Sequence, residues 1–298
     1  MESIQSKLLK VMLRIINLKE MWELTGEELR KSIEKKQTTE NYDPPKKVQE
    51  KFIINKKEID GNLYYVMKPL NSLGQKHILY LHGGGYVYEI SSLHWEYLAK
   101  LSDQLKCTIT IPIYPLAPKH QYHEVFDMIV PIYKQIVSEA KLNDITLMGD
   151  SAGGGMSLAL AQLLKEMNLP QPSNIILISP TLDMTFSNPE IQEIAKLDPI
   201  IAVPALVDIM KWYCGEQDVK HHLISPLYGD LEGLGKISLF IGTHDILYPD
   251  VKKLKVMVDE KGIPINYYEY PSMIHVWPLF FFPESKKARE QIIEIIKS

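Results

Sequence analysis

The stretch Ile145-Thr146-Leu147-Met148-Gly149-Asp150-Ser151-Ala152-Gly153-Gly154 decides the fold. A short apolar strand (145–148) runs directly into G-x-S-x-G, and helical spacing follows from 152 to 167. A turn this sharp forces its central residue into an unfavourable backbone conformation. Glycines two positions to either side of Ser151 keep Cβ atoms out of the crowded space. Ser151 Oγ then projects above the strand end, over the partial positive charge of the helix amides. From Ala152 to Ala161 the helix carries no charged residue, as suits a helix packed in the middle of a molecule. The plain alternative is a glycine-rich turn with an incidental serine; the strand before and the helix after disfavour it.

Outward from this turn, strand and helix alternate. Apolar runs at 77–82, 108–113, 175–179, 237–241 and 265–270 predict strands. Helical spacing at 92–105, 123–139, 249–261 and 284–297 separates them. Continuous apolar strands divided by ten or more helical residues imply an α/β fold with a mostly parallel sheet covered on both faces. Ahead of it, 48–68 suits strands, and Asp60-Gly61 is a hairpin turn signal. Pro44-Pro45 marks a boundary after a charge-rich helical segment (1–40), in which Thr25 and Glu28 fit a capping box. The stretch 182–232 breaks the alternation. It holds helical pieces near 189–196 and 203–214 and is too long for a plain connection.

Length and composition exclude several classes. The 298 residues carry 33 Lys+Arg and 37 Asp+Glu, a net charge of −4, with 45% hydrophobic residues. That is a globular composition, with no long basic block of the kind a nucleic-acid binder needs. Cys107 and Cys214 cannot form a disulfide framework. Cys107 opens an apolar run and reads as a buried strand thiol, which favours a reducing compartment and a cytoplasmic location. Ile4, Leu8, Met12, Ile15, Leu18 and Trp22 fall three or four apart, so the N-terminal segment reads as an amphipathic helix packed on the body, or else as an anchor on a membrane surface. Lys10 and Arg14 interrupt it, and no run of about 18 uncharged apolar residues occurs, so no transmembrane span is expected. The pairs His221-His222 and His120/His123 lack companions at zinc spacing, and no metal is expected.

A second glycine motif, His82-Gly83-Gly84-Gly85-Tyr86, follows the strand 77–81. Acyl transfer passes through a tetrahedral oxyanion that needs two or three N–H donors aimed at one point. Gly83 and Gly84 would supply two, and Ala152 a third. The flanking Tyr86 and Asp150 are the expected substrate contacts, with His82 shaping the loop. A phosphate-cradling loop is the alternative, but neither G-x-G-x-x-G spacing nor a following Lys is present.

HGGG upstream of GDSAGG resembles the hormone-sensitive lipase family of α/β-hydrolases, which includes many bacterial carboxylesterases. Tyr114-Pro115-Leu116-Ala117-Pro118 resembles the family's Y-R-L-A-P. Asp198-Pro199 and Ser225-Pro226-Leu227 resemble segments of its cap and of the return to the core. Pro115 stands where the family has Arg, and Lys119 where it has an acidic residue. The likeness spans roughly 45–297. It implies an α/β-hydrolase core over 46–298, capped by the helices of 1–45 and by the insertion at about 182–232. It also implies an acid after the next-to-last strand and a histidine after the last. Gly242-Thr243-His244-Asp245-Ile246-Leu247 matches G-x-x-D-x-L, so Asp245 is the acid candidate, with Asp250 behind it. His275, in Pro271-Ser-Met-Ile-His-Val-Trp277, is the base candidate. Ser151, Asp245 and His275 follow the chain order Ser…Asp…His of that fold.

The implied activity is a serine hydrolase acting through an acyl-serine on small-molecule carboxylic esters of short to medium acyl chain, without a cofactor. An amidase or deacetylase with the same triad, or a non-catalytic receptor on the same fold, are the alternatives. The run Trp277-Pro-Leu-Phe-Phe-Phe-Pro283 suits either an acyl pocket or core beneath the last helix. Exposed hydrophobic cap helices would favour a homodimer or lipid-like substrates.

Overall fold

The computed structural model of the chain describes residues 2–71 and 75–298. Its strands are β1 (Phe52–Ile59), β2 (Asn62–Pro69), β3 (His77–Leu81), β4 (Thr108–Pro112), β5 (Ile145–Asp150), β6 (Asn174–Ile178), β7 (Lys236–Gly242) and β8 (Ile265–Tyr270). The helices are α1 (Ile4–Ile15), α2 (Gly26–Thr39), α3 (Lys46–Gln49), α4 (Ser92–Leu105), α5 (Tyr122–Glu139), α6 (Ala152–Glu166), α7 (Ile191–Ile194), α8 (Val203–Cys214), α9 (Tyr248–Glu260) and α10 (Pro283–Lys297). All eight strands join one sheet in the order β1-β2-β4-β3-β5-β6-β7-β8. β1 pairs antiparallel with β2 and β2 with β4; every other pairing is parallel.

The period-2 geometry of a strand explains why the central strands are apolar throughout. Leu79, Leu81, Leu147, Ile175, Leu177 and Leu239 enter one core with α5, α6 and α9. Their neighbours Ile78, Tyr80, Met148, Ile176, Ile178 and Phe240 enter a second core, on the other face, with α4 and α10. Burying each such side chain is worth about 1.5–3 kcal/mol. The β1–β2 hairpin turns at Asp60 and Gly61, both at positive φ, as a two-residue hairpin loop demands. Cys107 and Cys214 are free and buried. Among the described residues no helix is long and apolar enough to cross a membrane.

Two local expectations fail. Thr25 occupies the N-cap of α2, but its side chain makes no capping bond. The orphan N–H of Gly26 instead donates to Asp208 of α8 at 2.7 Å, so a carboxylate from a distant helix does the work of a local cap. The N-terminal helix is amphipathic as read, yet it is turned over. Ser6, Lys10 and Leu13 face the body, while Ile4, Leu8, Met12 and Ile15 face solvent. The cause is polar: Lys10 pairs with Glu2 at 2.6 Å and donates to the Ser272 carbonyl, and the Ser3 amide and hydroxyl donate to Glu284 of α10. Trp22, the last member of the expected stripe, is buried.

The turn after β5 is the tightest place among the described glycines. A Cβ on Gly153 would lie 1.9 Å from the Leu81 carbonyl oxygen, and one on Gly149 would lie 2.3 Å from the Gly153 oxygen. Both obstacles are backbone and cannot give way. Gly153→Ala is therefore expected to cost at least about 2 kcal/mol of stability, the upper range of overpacking. Thermal or urea denaturation checks this; an unchanged midpoint would show that α6 does not pack so closely on the end of β3.

Candidate active site

Ser151 is the N-cap of α6, with φ 53° and ψ −121°. That conformation is costly for a non-glycine residue, and the surrounding structure holds it there. The Ser151 amide donates to Ile178 O at 2.9 Å and its carbonyl accepts from Thr181 and Gly155. Its Oγ lies 2.9 Å from His275 Nε2. His275 Nδ1 lies 3.0 and 3.1 Å from the two oxygens of Asp245. A carboxylate can only accept, so Nδ1 carries the imidazole proton and Nε2 is left to accept from the serine hydroxyl. All three residues are buried.

Two loops set this line. The loop after β7 carries Asp245 and the loop after β8 carries His275, and they are bonded to each other: the His244 amide donates to Met273 O and the Ser272 amide to Thr243 Oγ1. The Val276 amide donates to Ser179 Oγ at 3.0 Å, tying the histidine loop to the end of β6. Asp250, the second acid candidate, lies in the first turn of α9 and accepts from Asn188 at 3.0 Å. No bond joins it to His275, and burial pushes its carboxyl up to about 6.

A further carboxylate stands beside the line. Asp198 is buried and accepts the amides of Ile246, Ile200 and Ile201, so it fastens the acid loop to residues 198–201. Burial, with the neighbouring Asp245 charge, raises it to about 6. Sequence reading singled out Asp198-Pro199 only through a resemblance, because nothing local tells which loop its oxygens will meet.

The second glycine motif lies against Ser151, but its amides are not used as expected. The Gly83 N–H donates to Asp150 Oδ1 at 2.9 Å and so is not available to a ligand. Among the described residues none accepts from the amides of Gly84, Gly85 or Ala152. Gly84 and Gly85 both have positive φ, and a Cβ on Gly85 would lie 2.6 Å from the Trp22 ring. Gly85 thus has a free amide that sequence reading did not single out. Three adjacent glycines look alike until the partner of the first is known.

Asp150 lines the cavity, but its carboxylate already has partners. Its carboxylate accepts from Tyr80 at 2.6 Å as well as from Gly83, and it meets His94 Nε2 at 3.2 Å. Burial alone would raise its pKa; the adjacent His94 and these hydrogen bonds overcome that and hold the carboxyl below its ordinary range. Its role in the structure is to pin the glycine loop to the serine turn. His82 stacks on Tyr114 at 4.3 Å between ring centres, and the Tyr114 hydroxyl donates to His82 O. Burial drives the His82 pKa down to about 3, so this imidazole is a neutral packing element. Tyr86 does line the cavity, with its hydroxyl beside Thr181.

The cavity beside Ser151 and His275 has a volume of about 160 Å³. Its walls are chiefly apolar, with Trp22, Met184, Phe186, Ile201, Leu206 and Leu279 among them. They come from the N-terminal segment, the insertion after β6 and the core. From the run 277–283, Leu279 reaches the cavity, whereas Trp277 and Phe282 are buried in the second core and Phe281 is exposed. A larger groove of about 470 Å³ lies at the opposite ends of the strands, by His77, Thr108 and Asp144. It is lined by lysines and carboxylates, whereas ligands of open α/β sheets bind at the carboxyl ends of the strands. His120 bonds Glu124, and His222 faces Glu166. Among the described residues no group of three or more His, Cys, Asp or Glu gathers for a metal.

Residues 78–279 match the family model described as alpha/beta hydrolase fold. The chain belongs to the α/β-hydrolase family. Within it, the chain groups with the hormone-sensitive lipase type. An esterase from Acinetobacter venetianus is 30% identical over 226 residues, covering 74% of each chain. An esterase/lipase from an uncultured bacterium superposes with a TM-score of 0.85 at 27% identity, covering 99% of this hydrolase and 98% of that chain. A hormone-sensitive lipase from a metagenome library superposes at 0.84 with 26% identity, covering 98% and 97%.

The electrostatics of this hydrolase make a direct test. Burial alone would lower the His275 pKa, but the Asp245 charge and hydrogen bond, with Asp198 and Asp150 further off, raise it above 6.5. NMR titration of the imidazole is expected to give a midpoint above 6.5. Asp245→Asn removes the largest raising influence and should lower it, whereas Asp250→Asn should leave it in place. A midpoint below 6.5 in the unaltered protein would contradict the arrangement.

Proposed function

We propose that the protein is a serine carboxylesterase that cleaves small carboxylic esters through an acyl-serine intermediate. The observation that carries this reading is the continuous hydrogen-bonded line from Ser151 Oγ through His275 to Asp245, opening on an apolar cavity. The Acinetobacter relative named an esterase and the esterase/lipase neighbour support the ester as substrate.

As Ser151 Oγ attacks the ester carbonyl, His275 Nε2 takes its proton. Asp245 holds the tautomer and stabilises the imidazolium that forms. The amides of Gly84, Gly85 and Ala152 receive the developing oxyanion, and each such donor is worth about 3 kcal/mol of barrier. The imidazolium then protonates the departing alcohol. In the second half, His275 activates a water that releases the acid and restores the serine. No step needs a metal or an organic cofactor. Asp150 acts through the Gly83 amide it holds, leaving the next two amides of the loop to donate to the carbonyl oxygen.

Residues 1–45 and 182–232 serve as the cap, for they supply most of the apolar wall above Ser151. A cavity of about 160 Å³ matches the ~150 Å³ that accommodates a benzene-sized group, which supports short to medium acyl chains. The two buried free thiols support a reducing, cytoplasmic setting.

A p-nitrophenyl ester series from acetate to laurate tests the reading. Turnover is expected to be highest for the shorter chains. Ser151→Ala is expected to lose at least ~10³-fold in kcat while still binding a product acid. A loss under tenfold would remove Ser151 from the mechanism. Activity should also decline on the acid side, because the base form of His275 is lost as pH falls through its raised pKa; a flat profile down to about pH 4 would count against a histidine base.

A further inference from the structure

We propose that the outward face of α1 is a docking surface for an anionic lipid interface. The sequence pattern and the packing of this helix disagree in a specific way. At about 100° per residue, Ile4, Leu8, Val11, Met12 and Ile15 fall within an arc roughly 100° wide, the width of a stripe that a helix ordinarily buries. Here that stripe faces water: Ile4 is 72% exposed, Leu8 64% and Ile15 77%, and Ile16 at the C-cap extends it. The side turned to the body is instead held by Lys10 and Ser6, which bond Glu2, Ser272 and Met273. Leu13, with Leu9 beside it, packs into the second core on that same side, so α1 is fixed with its wider apolar stripe outward.

Charge selects the occupant. The chain as a whole carries −4, yet Ile4–Ile15 contains Lys7, Lys10 and Arg14 and no acidic residue. Lys7 and Arg14 are exposed and fall on one edge of the apolar arc, where the cations of a helix lying in a headgroup layer belong. A second copy of the chain fits less well. Twelve residues make a footprint of roughly 18 by 10 Å, far short of the ~800 Å² that each partner of a stable dimer commits. Two copies meeting on this face would also bring their cationic edges together.

The position of α1 gives docking a use. Arg14 donates to Leu197 O and Lys19 to Ala195 O and Asp198 O, two to five residues ahead of Ile200, which lines the cavity. Lys10 holds Ser272 O, three residues before His275. Trp22, at the end of the same segment, forms part of the cavity wall. A lipid surface engaged by α1 therefore lies beside the cavity, where an ester withdrawn from it has a short path to Ser151.

The test is co-sedimentation with extruded vesicles, read separately from turnover of soluble p-nitrophenyl acetate, so that failure of the docking claim and failure of the esterase reading are distinct results. The unaltered protein is expected to bind phosphatidylcholine/phosphatidylglycerol vesicles at least about tenfold more tightly than pure phosphatidylcholine vesicles, with the preference weakened by salt. The double variant Leu8→Ser/Ile15→Ser should lose at least about tenfold in vesicle binding, with helical circular dichroism and p-nitrophenyl acetate turnover within about twofold of the parent, and Lys7→Gln should narrow the preference for phosphatidylglycerol. If the double variant were to unfold, Met12→Gln alone reads the same loss. No vesicle binding by the unaltered protein, or equal binding by the double variant, overturns the proposal. A dimer in sedimentation equilibrium that the double variant splits, without vesicle binding, overturns it in favour of a second copy.

Discussion

The close approach of α6 to the end of β3 governs the rest of the structure. Without a side chain on Gly153, the helix start can sit on the Leu81 carbonyl. That contact brings the loop following β3 to the same point as the turn following β5. It places Ser151 at the helix N-terminus, in a strained conformation that the sheet on one side and Thr181 on the other hold fixed. Because β3 and β5 are parallel neighbours, their carboxyl ends emerge together, and the glycine loop lies against the serine turn. Site and fold therefore share one packing constraint.

Electrostatics complete what packing begins. Two buried carboxylates outside the Ser151–His275–Asp245 line have comparable tasks. Asp150 collects Tyr80, Gly83 and His94 and so joins β3, its glycine loop and α4 to the serine turn. Asp198 collects Ile246, Ile200 and Ile201 and joins the insertion to the acid loop. A buried charge survives only where several donors compensate it, and here each set of donors belongs to parts of the chain that must stay in register. Asp198 also adds to the field that raises His275. The insertion thus helps to position the acid as well as to wall the cavity.

Much of this was legible from residues alone, for identifiable reasons. Strands buried on both faces leave continuous apolar runs, and β3 to β8 were placed within a residue or two. The glycines at 149 and 153 announce a turn that only a backbone without side chains can make. The structure brings Ser151, His275 and Asp245 together as their order suggested. What could not be read depends on partners far away in the chain. Which of Gly83, Gly84 and Gly85 is occupied depends on where the Asp150 oxygen falls. Thr25 has the right residue type for a cap, but Asp208 reaches Gly26 first. The periodicity of α1 marks an apolar face without saying which way it turns, and Lys10 with Ser6 decides that through contacts with 272 and 273.

The measurement that bears most directly on an acyl-serine is covalent trapping by a neutral organophosphate ester such as diethyl p-nitrophenyl phosphate, followed by intact-mass and peptide analysis. One diethylphosphoryl group per chain, confined to the peptide bearing Ser151, is the expected result, with labelling strongly slowed by His275→Ala. Labelling of a different residue, or none while ester turnover persists, would contradict the role assigned to the turn between β5 and α6.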